Sequence, residues 1–142
     1  MFIKQISVFV ENRNGAIMEI TSALRDADVN IRALSIADTS DFGIVRLIVN
    51  KTDEALKALR EENMTVSVTD VIAVSVGDTP GSFHMALEAL YDGSVMIEYS
   101  YAFVAPVGGG ATVILRCREP DLAADLLQKK GLKLLSQADV NY

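Results

Sequence analysis

The chain has 142 residues, of which 50% are hydrophobic and 23% charged, with a formal net charge of −6 and a single cysteine, Cys117. That is apolar material for one ordinary core or two small ones. The acidic balance excludes nucleic acid and anionic membrane surfaces as natural partners, which need a basic footprint. A lone cysteine excludes an intrachain disulfide or a thiolate metal site and fits a reduced, cytoplasmic setting.

In chain order, residues 3–10 are rich in β-branched side chains and predict a strand that starts at once, with no secretory signal before it. The run Glu11-Asn12-Arg13-Asn14-Gly15-Ala16-Ile17 then turns into an amphipathic helix. Ile17, Ile20, Leu24 and Ala27 lie on one helical face, and Glu19, Ser22, Arg25 and Asp26 on the other. Asn14 is expected to cap this helix, and Gly15 permits close backbone approach. Residues 29–37 predict a strand with Val29, Ile31, Ala33 and Ser35 facing one way. A polar turn at residues 38–41 leads to the return strand, 42–49. Thr52 offers an N-cap, and Asp53 and Glu54 suit the helix dipole. Leu56 and Leu59 stripe that helix, and a strand begins at Thr65.

The order then recurs. Residues 71–76 predict a strand, with Asp70 as a break before it. Gly77-Asp78-Thr79-Pro80-Gly81 is a turn, and Phe83, Ala86, Leu87 and Leu90 make a helical stripe. Strands are expected at 95–103 and 112–117, joined by a turn holding Gly108, Gly109 and Gly110. Pro120 opens a helix that Gly131 closes, and residues 132–135 are the last strand. The uncharged stretch 99–115 is broken by Pro106 and by those glycines, so no continuous spanning helix fits there.

The halves also align residue by residue: Gly15 with Gly81, Leu24 with Leu90 and Ile31 with Ile97 are each 66 apart. A repeat of this length is a duplicated domain, expected at 1–69 and 70–142. Each half carries a β-α-β-β-α-β set, so the predicted fold class is α+β: two ferredoxin-like sandwiches, antiparallel sheets with helices on one face.

A polar turn ending in Gly before the first helix, then Asp28-Val29-Asn30-Ile31 opening the next strand, resembles the ACT domain, a family of small amino-acid-sensing modules attached to metabolic enzymes. The first half resembles in particular the regulatory domain of phosphoglycerate dehydrogenase, through Glu11-Asn12-Arg13-Asn14-Gly15. The family's Pro before the Gly is replaced here by Asn14 and kept as Pro80 in the second half. The resemblance implies a ligand pocket between two such domains. Asn12 and Asn14, with the N–H groups around Gly15, Ala16 and Ile17, would hold the α-carboxylate and amine, and Asn30 would reach in from a neighbouring domain. The matching turn of the second half is Asp78, Thr79, Gly81 and Ser82, but Met96 stands where Asn30 does. Pairing of the two halves would give one pocket with both polar parts; pairing of the first halves of two chains would bring Asn12 to Asn30 twice. The resemblance thus implies a small amino acid ligand, a homodimer and a metabolic enzyme as partner; the residues show no catalytic set and no metal-ligand cluster, so no cofactor and no metal are expected.

The chemistry suits such a ligand. A zwitterion needs anion-binding donors beside neutral acceptors; a helix start supplies the donors and Asn the acceptors. The plainer reading makes Asn12 and Asn14 turn and cap residues and Asn30 a strand-edge residue. Two other functions stay open. One is a small acyl-phosphate hydrolase using Arg13 and a nearby Asn; the other is a regulatory subunit of a biosynthetic enzyme with degenerate pockets. His84 reads as a partly exposed helical residue and Cys117 as a small core residue. Gly108-Gly109-Gly110 reads as a hairpin turn, lacking the Lys-Ser/Thr of a phosphate loop. Tyr99, Tyr101 and Phe103 alternate, so they share a face of their strand.

Overall fold

Strand, helix, strand, strand, helix, strand is traversed twice in the computed structural model, which describes residues 1–38, 40–104 and 109–142. Thr39 of the predicted polar turn, and Pro106 and Gly108 of the Gly-rich stretch, lie outside the described residues. The first passage is β1 (Ile3–Glu11), α1 (Ala16–Asp26), β2 (Ile31–Asp38), β3 (Phe42–Val49), α2 (Thr52–Glu61) and β4 (Thr65–Val76). The second shares β4 and continues with α3 (Ser82–Asp92), β5 (Ile97–Ala102), β6 (Ala111–Cys117), α4 (Pro120–Lys129) and β7 (Lys133–Leu134), followed by a short helix, α5 (Gln137–Val140). The chain divides into two compact units. The N-terminal unit is Lys4–Thr69 with Val140–Tyr142; the C-terminal unit is Asp70–Asp139 with Met1–Ile3.

In the N-terminal unit the strands run β2-β3-β1-β4. The β1–β3 pair is antiparallel, with Ile6 opposite Leu47 and Val8 opposite Val45. This register puts Ile6, Val8, Val45, Leu47 and Val49 on one face, where they meet Ile20, Ala23 and Leu24 of α1 and Ala55 and Leu59 of α2 in a single core. The C-terminal unit repeats the plan as β5-β6-β4-β7. Its core joins Ile72, Val74 and Val76 to Val113, Leu115 and Cys117, under Ala86 and Leu90 of α3 and Ala123 and Leu127 of α4. The α+β class, with two ferredoxin-like antiparallel sandwiches whose helices lie on one face, is therefore observed.

All four long helices stop in the same way. Asp28, Asn63, Ser94 and Gly131 each follow a helix with positive φ, between 56° and 88°. After α1, the Val29 N–H reaches back to the Leu24 carbonyl and the Asp28 N–H to Arg25; Met64–Leu59, Val95–Leu90 and Leu132–Leu127 repeat the longer bond. This is the Schellman closure, and it brings an apolar residue beyond the helix onto a buried leucine inside it. Leu24, Leu59, Leu90 and Leu127 are all at most 1% exposed. The closure thus fixes both where each helix ends and how the next strand enters the core.

Four local expectations are corrected. Asn14 does not cap α1: the N-cap is Gly15 in the left-handed region (φ 88°), with no side-chain cap bond. Thr52 is inside α2, whose N-cap is Lys51, and its hydroxyl is buried without a hydrogen-bond partner among the described residues. Asp70 does not break the chain, because β4 runs through it; the side chain is exposed and its carbonyl accepts from Arg116 Nη1 at 3.2 Å. In β2 a register shift between Ile31 and Ala33 reverses the alternation. Leu34, not Ala33, therefore joins Val29 and Ile31 against the helix-side core. A bulge does this by inserting one residue on one strand only.

Candidate functional site

Both units start their first helix from the same local geometry. In the N-terminal unit Gly15 supplies the left-handed residue; its carbonyl accepts from Glu19 N–H at 3.0 Å, and the Ala16 N–H donates to the Arg13 carbonyl at 3.3 Å. In the C-terminal unit Gly81 (φ 87°) is the left-handed residue; its carbonyl accepts from Met85 at 3.2 Å, and Ser82 N–H donates to Thr79 at 3.1 Å. A Cβ at either glycine would meet nothing within 4 Å, so the glycine is demanded by backbone conformation rather than by crowding. The first helical N–H is thus spoken for in each case. The next two, of Ile17 and Met18 and of Phe83 and His84, make no hydrogen bond among the described residues. Those donors, at the positive end of the helix dipole, are what an anionic group would meet.

The surroundings of the two turns differ. Asn12 is exposed; its amide donates to the Asp38 carboxylate at 2.7 Å and its backbone N–H to the Asp41 carbonyl at 2.9 Å. Asn14 is exposed beside it. Arg13 holds Glu19 through both terminal nitrogens, at 3.1 and 2.6 Å. That bond and the charge behind it lower the Glu19 carboxyl below its ordinary range and raise the Arg13 guanidinium. Arg13 and Glu19 line an open cleft of about 250 Å³ with Val10, Ala16 and Met64. In the C-terminal turn hydroxyls replace these charges: Thr79 Oγ1 and Ser82 Oγ are 2.7 Å apart, and Asp78 is exposed.

Asn30 is elsewhere. It follows α1 whereas Asn12 precedes it, and α1 has 11 residues, so about 16 Å of helix separates them within the unit. Asn30 lies in a second recess, of about 470 Å³, with Arg25, Asp28, Val29, Asn50 and Lys51. The structure therefore gathers Asn12, Asn14, Gly15, Ala16 and Ile17 at one turn and Asp78, Thr79, Gly81 and Ser82 at another, with Asn30 at the far end of α1 from the first. The residues that complete the first cleft were not foreseeable from spacing, since Thr65 of β4 and Met64 just before it arrive there because β4 lies beside β1.

Other chemistry is sparse. Among the described residues no group of three or more His, Cys, Asp or Glu is placed to hold a metal. Cys117 is buried, and burial pushes its thiol up to about 11, so it stays protonated at neutral pH. His84 is exposed, 3.7 Å from Glu88. Tyr99 and Tyr101 stack with ring centroids 6.5 Å apart, as their shared face predicts. Arg13, the residue the phosphate reading would use, is bonded to Glu19 and lies 3.9 Å from Glu11. No described helix is long and apolar enough to cross a membrane.

The family model for an ACT domain pair matches residues 1–142. The chain belongs to the ACT domain-pair family. The doubled sandwich and the two glycine-led helix starts are thus features of an ACT pair. A Bacteroides thetaiotaomicron protein of known crystal structure is similar at 37% identity, with a TM-score of 0.92 over 99% of this chain and 96% of that one. The ligand-free regulatory subunit of aspartate kinase from Thermus thermophilus shares the fold at 18% identity, with a TM-score of 0.62 over 89% and 91% of the two chains. The fold is shared also by Escherichia coli aspartokinase III in complex with lysine and aspartate, at 12% identity and a TM-score of 0.51, over 90% of this ACT pair and 31% of that chain. Among curated proteins none matches.

Proposed function

We propose that this ACT pair is an amino-acid-binding regulatory module that modulates a partner enzyme or regulator. The observation that carries the reading is the repeated helix start: a left-handed glycine, one internally bonded N–H and two unbonded ones, in both units. The ligand's carboxylate sits on the N–H groups of the β1–α1 turn, with Asn12 and Asn14 alongside, and Asp78, Thr79, Gly81 and Ser82 serve the second turn. Asn30 completes a site from a neighbouring module, which includes the homodimeric arrangement. The aspartate kinase likenesses support the fold on which such sensing is built, and the lysine and aspartate of the Escherichia coli complex mark free amino acids as the ligands to try.

A site made by two modules is completed when they dock, so occupancy biases inter-module geometry and can be passed on to a partner. Thermal-shift screening of the full chain against the twenty amino acids tests the reading. An amino acid at 100 times its dissociation constant adds about 2.7 kcal/mol of stability, a readily measured rise in melting temperature. A panel in which none of the twenty raises the melting temperature at millimolar concentration contradicts it.

A further inference from the structure

The recess around Asn30 contains a clamp that the twin unit lacks. The Asn30 carbonyl accepts from the Asn50 N–H at 3.1 Å, as expected for a strand pair one step beyond Ile31 and Val49. The return bond is unusual: the Asn30 N–H donates at 2.8 Å to the Asn50 side-chain Oδ1. The side chain thereby replaces its own main-chain carbonyl, which frees the backbone to turn at once into α2 through Lys51. Lys51 secures the other side of the junction, its Nζ donating to the Asp28 carbonyl at 2.9 Å and to the Asp28 carboxylate at 3.1 Å. Residues 28 to 30 are thus tied down from β3 and α2. The side-chain amide of exposed Asn30 makes no hydrogen bond among the described residues.

The equivalent positions of the C-terminal unit are Ser94, Met96, Arg118 and Glu119, 66 residues on before β3 and 68 after it. The main-chain bond survives there, with Arg118 N–H donating to the Met96 carbonyl at 3.0 Å. The clamp does not. Arg118 has no side-chain acceptor to offer, so the Met96 N–H is left without a hydrogen-bond partner among the described residues. Glu119 cannot replace Lys51 as a donor. Four coordinated replacements separate a junction that presents an amide from one that presents a thioether.

We infer that Asn50 and Lys51 are positioning residues for ligand binding: they fix the α1–β2 junction so that Asn30 is presented, pre-organised, from the N-terminal unit alone. Pre-organisation matters because a junction whose backbone is free to move must be ordered at the ligand's expense. The inference rests on the proposed function, since it takes Asn30 to be a ligand contact. It predicts that the β2 side of the binding site is supplied by one unit of the pair and not by the other.

The test uses the full chain and those amino acids that shift the wild type in the twenty-member panel. Asn50→Ala and Lys51→Ala weaken binding, the former about tenfold or more as an unmet hydrogen bond implies. Asn50→Asp keeps the acceptor oxygen and restores affinity to within about threefold of wild type. The melting temperature without ligand separates this effect from loss of fold, and amide exchange reports the clamp directly: the Asn30 N–H is protected in the wild type and in Asn50→Asp and exposed in Asn50→Ala. Binding that Asn50→Ala leaves within twofold, or an unprotected Asn30 N–H in the wild type, overturns the inference while the proposed function stands. A panel in which no amino acid binds the wild type overturns both.

Discussion

Arg13 and Glu19 show how one pair of side chains ties a turn to the helix that follows it. The bidentate bond crosses from the β1–α1 turn to the first turn of α1, at its positive end, where a carboxylate is stabilised twice over. The Glu19 carboxyl is lowered from its ordinary value of 4.5 first by the hydrogen bond from Arg13. A lowered carboxyl binds its proton less readily folded than unfolded, so its stabilising contribution is complete above pH 4.5 and is lost as pH falls through the lower, folded value. Glu19→Gln should therefore reduce stability near neutral pH, and the difference from wild type should shrink as pH drops below 4.5. Urea denaturation of both proteins at a series of pH values checks this. A difference that grew toward acid would have the wrong sign. Both side chains are half-exposed, so the effect belongs to the small class of surface pairs.

At the scale of elements, the four helix closures carry an unequal load. Gly131 adopts its left-handed conformation at little cost, whereas Ser94 (φ 56°) has a side chain that disfavours it. Ser94→Gly should stabilise the protein by about 1 kcal/mol, read as a higher urea midpoint with an unchanged slope. A lower midpoint would mean that Ser94 makes a contact worth more than the strain. Asp28→Gly is not equivalent, because Asp28 is bonded to Lys51. Much of this was legible in the sequence: a leucine at positions 24, 59, 90 and 127, each followed five residues later by an apolar side chain, is a helix period running into a strand. What escaped is instructive. Asn14 has the residue type of a cap, but the conformation of Gly15 gave that place to the glycine. The bulge in β2 leaves no mark in composition, so the faces of Ala33 and Leu34 were transposed. One half of a capping box at α5, where Ser136 N–H and Oγ both donate to the Asp139 carboxylate, was written in Ser-x-x-Asp but too short to stand out.

For the molecule as a whole, duplication is the fact from which function follows. The repeat spacing of 66, seen in Gly15 and Gly81, also separates the two helix starts of the structure. Site assembly was less legible, because spacing along a chain does not report which end of a helix a residue reaches. Asn12 and Asn30 are close in sequence yet lie at opposite ends of α1. The two units share their backbone device and differ in what surrounds it: an Arg–Glu pair and an Asn–Asn clamp in one, hydroxyls and a methionine in the other. Duplicated backbone with diverged side chains leaves the same helix start in two different chemical surroundings.

Under the proposed function, a free amino acid rests its carboxylate on the unbonded N–H groups of a glycine-led helix start. It is tested most directly by following backbone amide resonances of the ¹⁵N-labelled chain as each amino acid is titrated in. For at least one of them, saturable shifts are expected, concentrated at Gly15, Ile17 and Met18 or at Gly81, Phe83 and His84. Shifts that bypass both turns, or no saturable shift with any of the twenty, would contradict it.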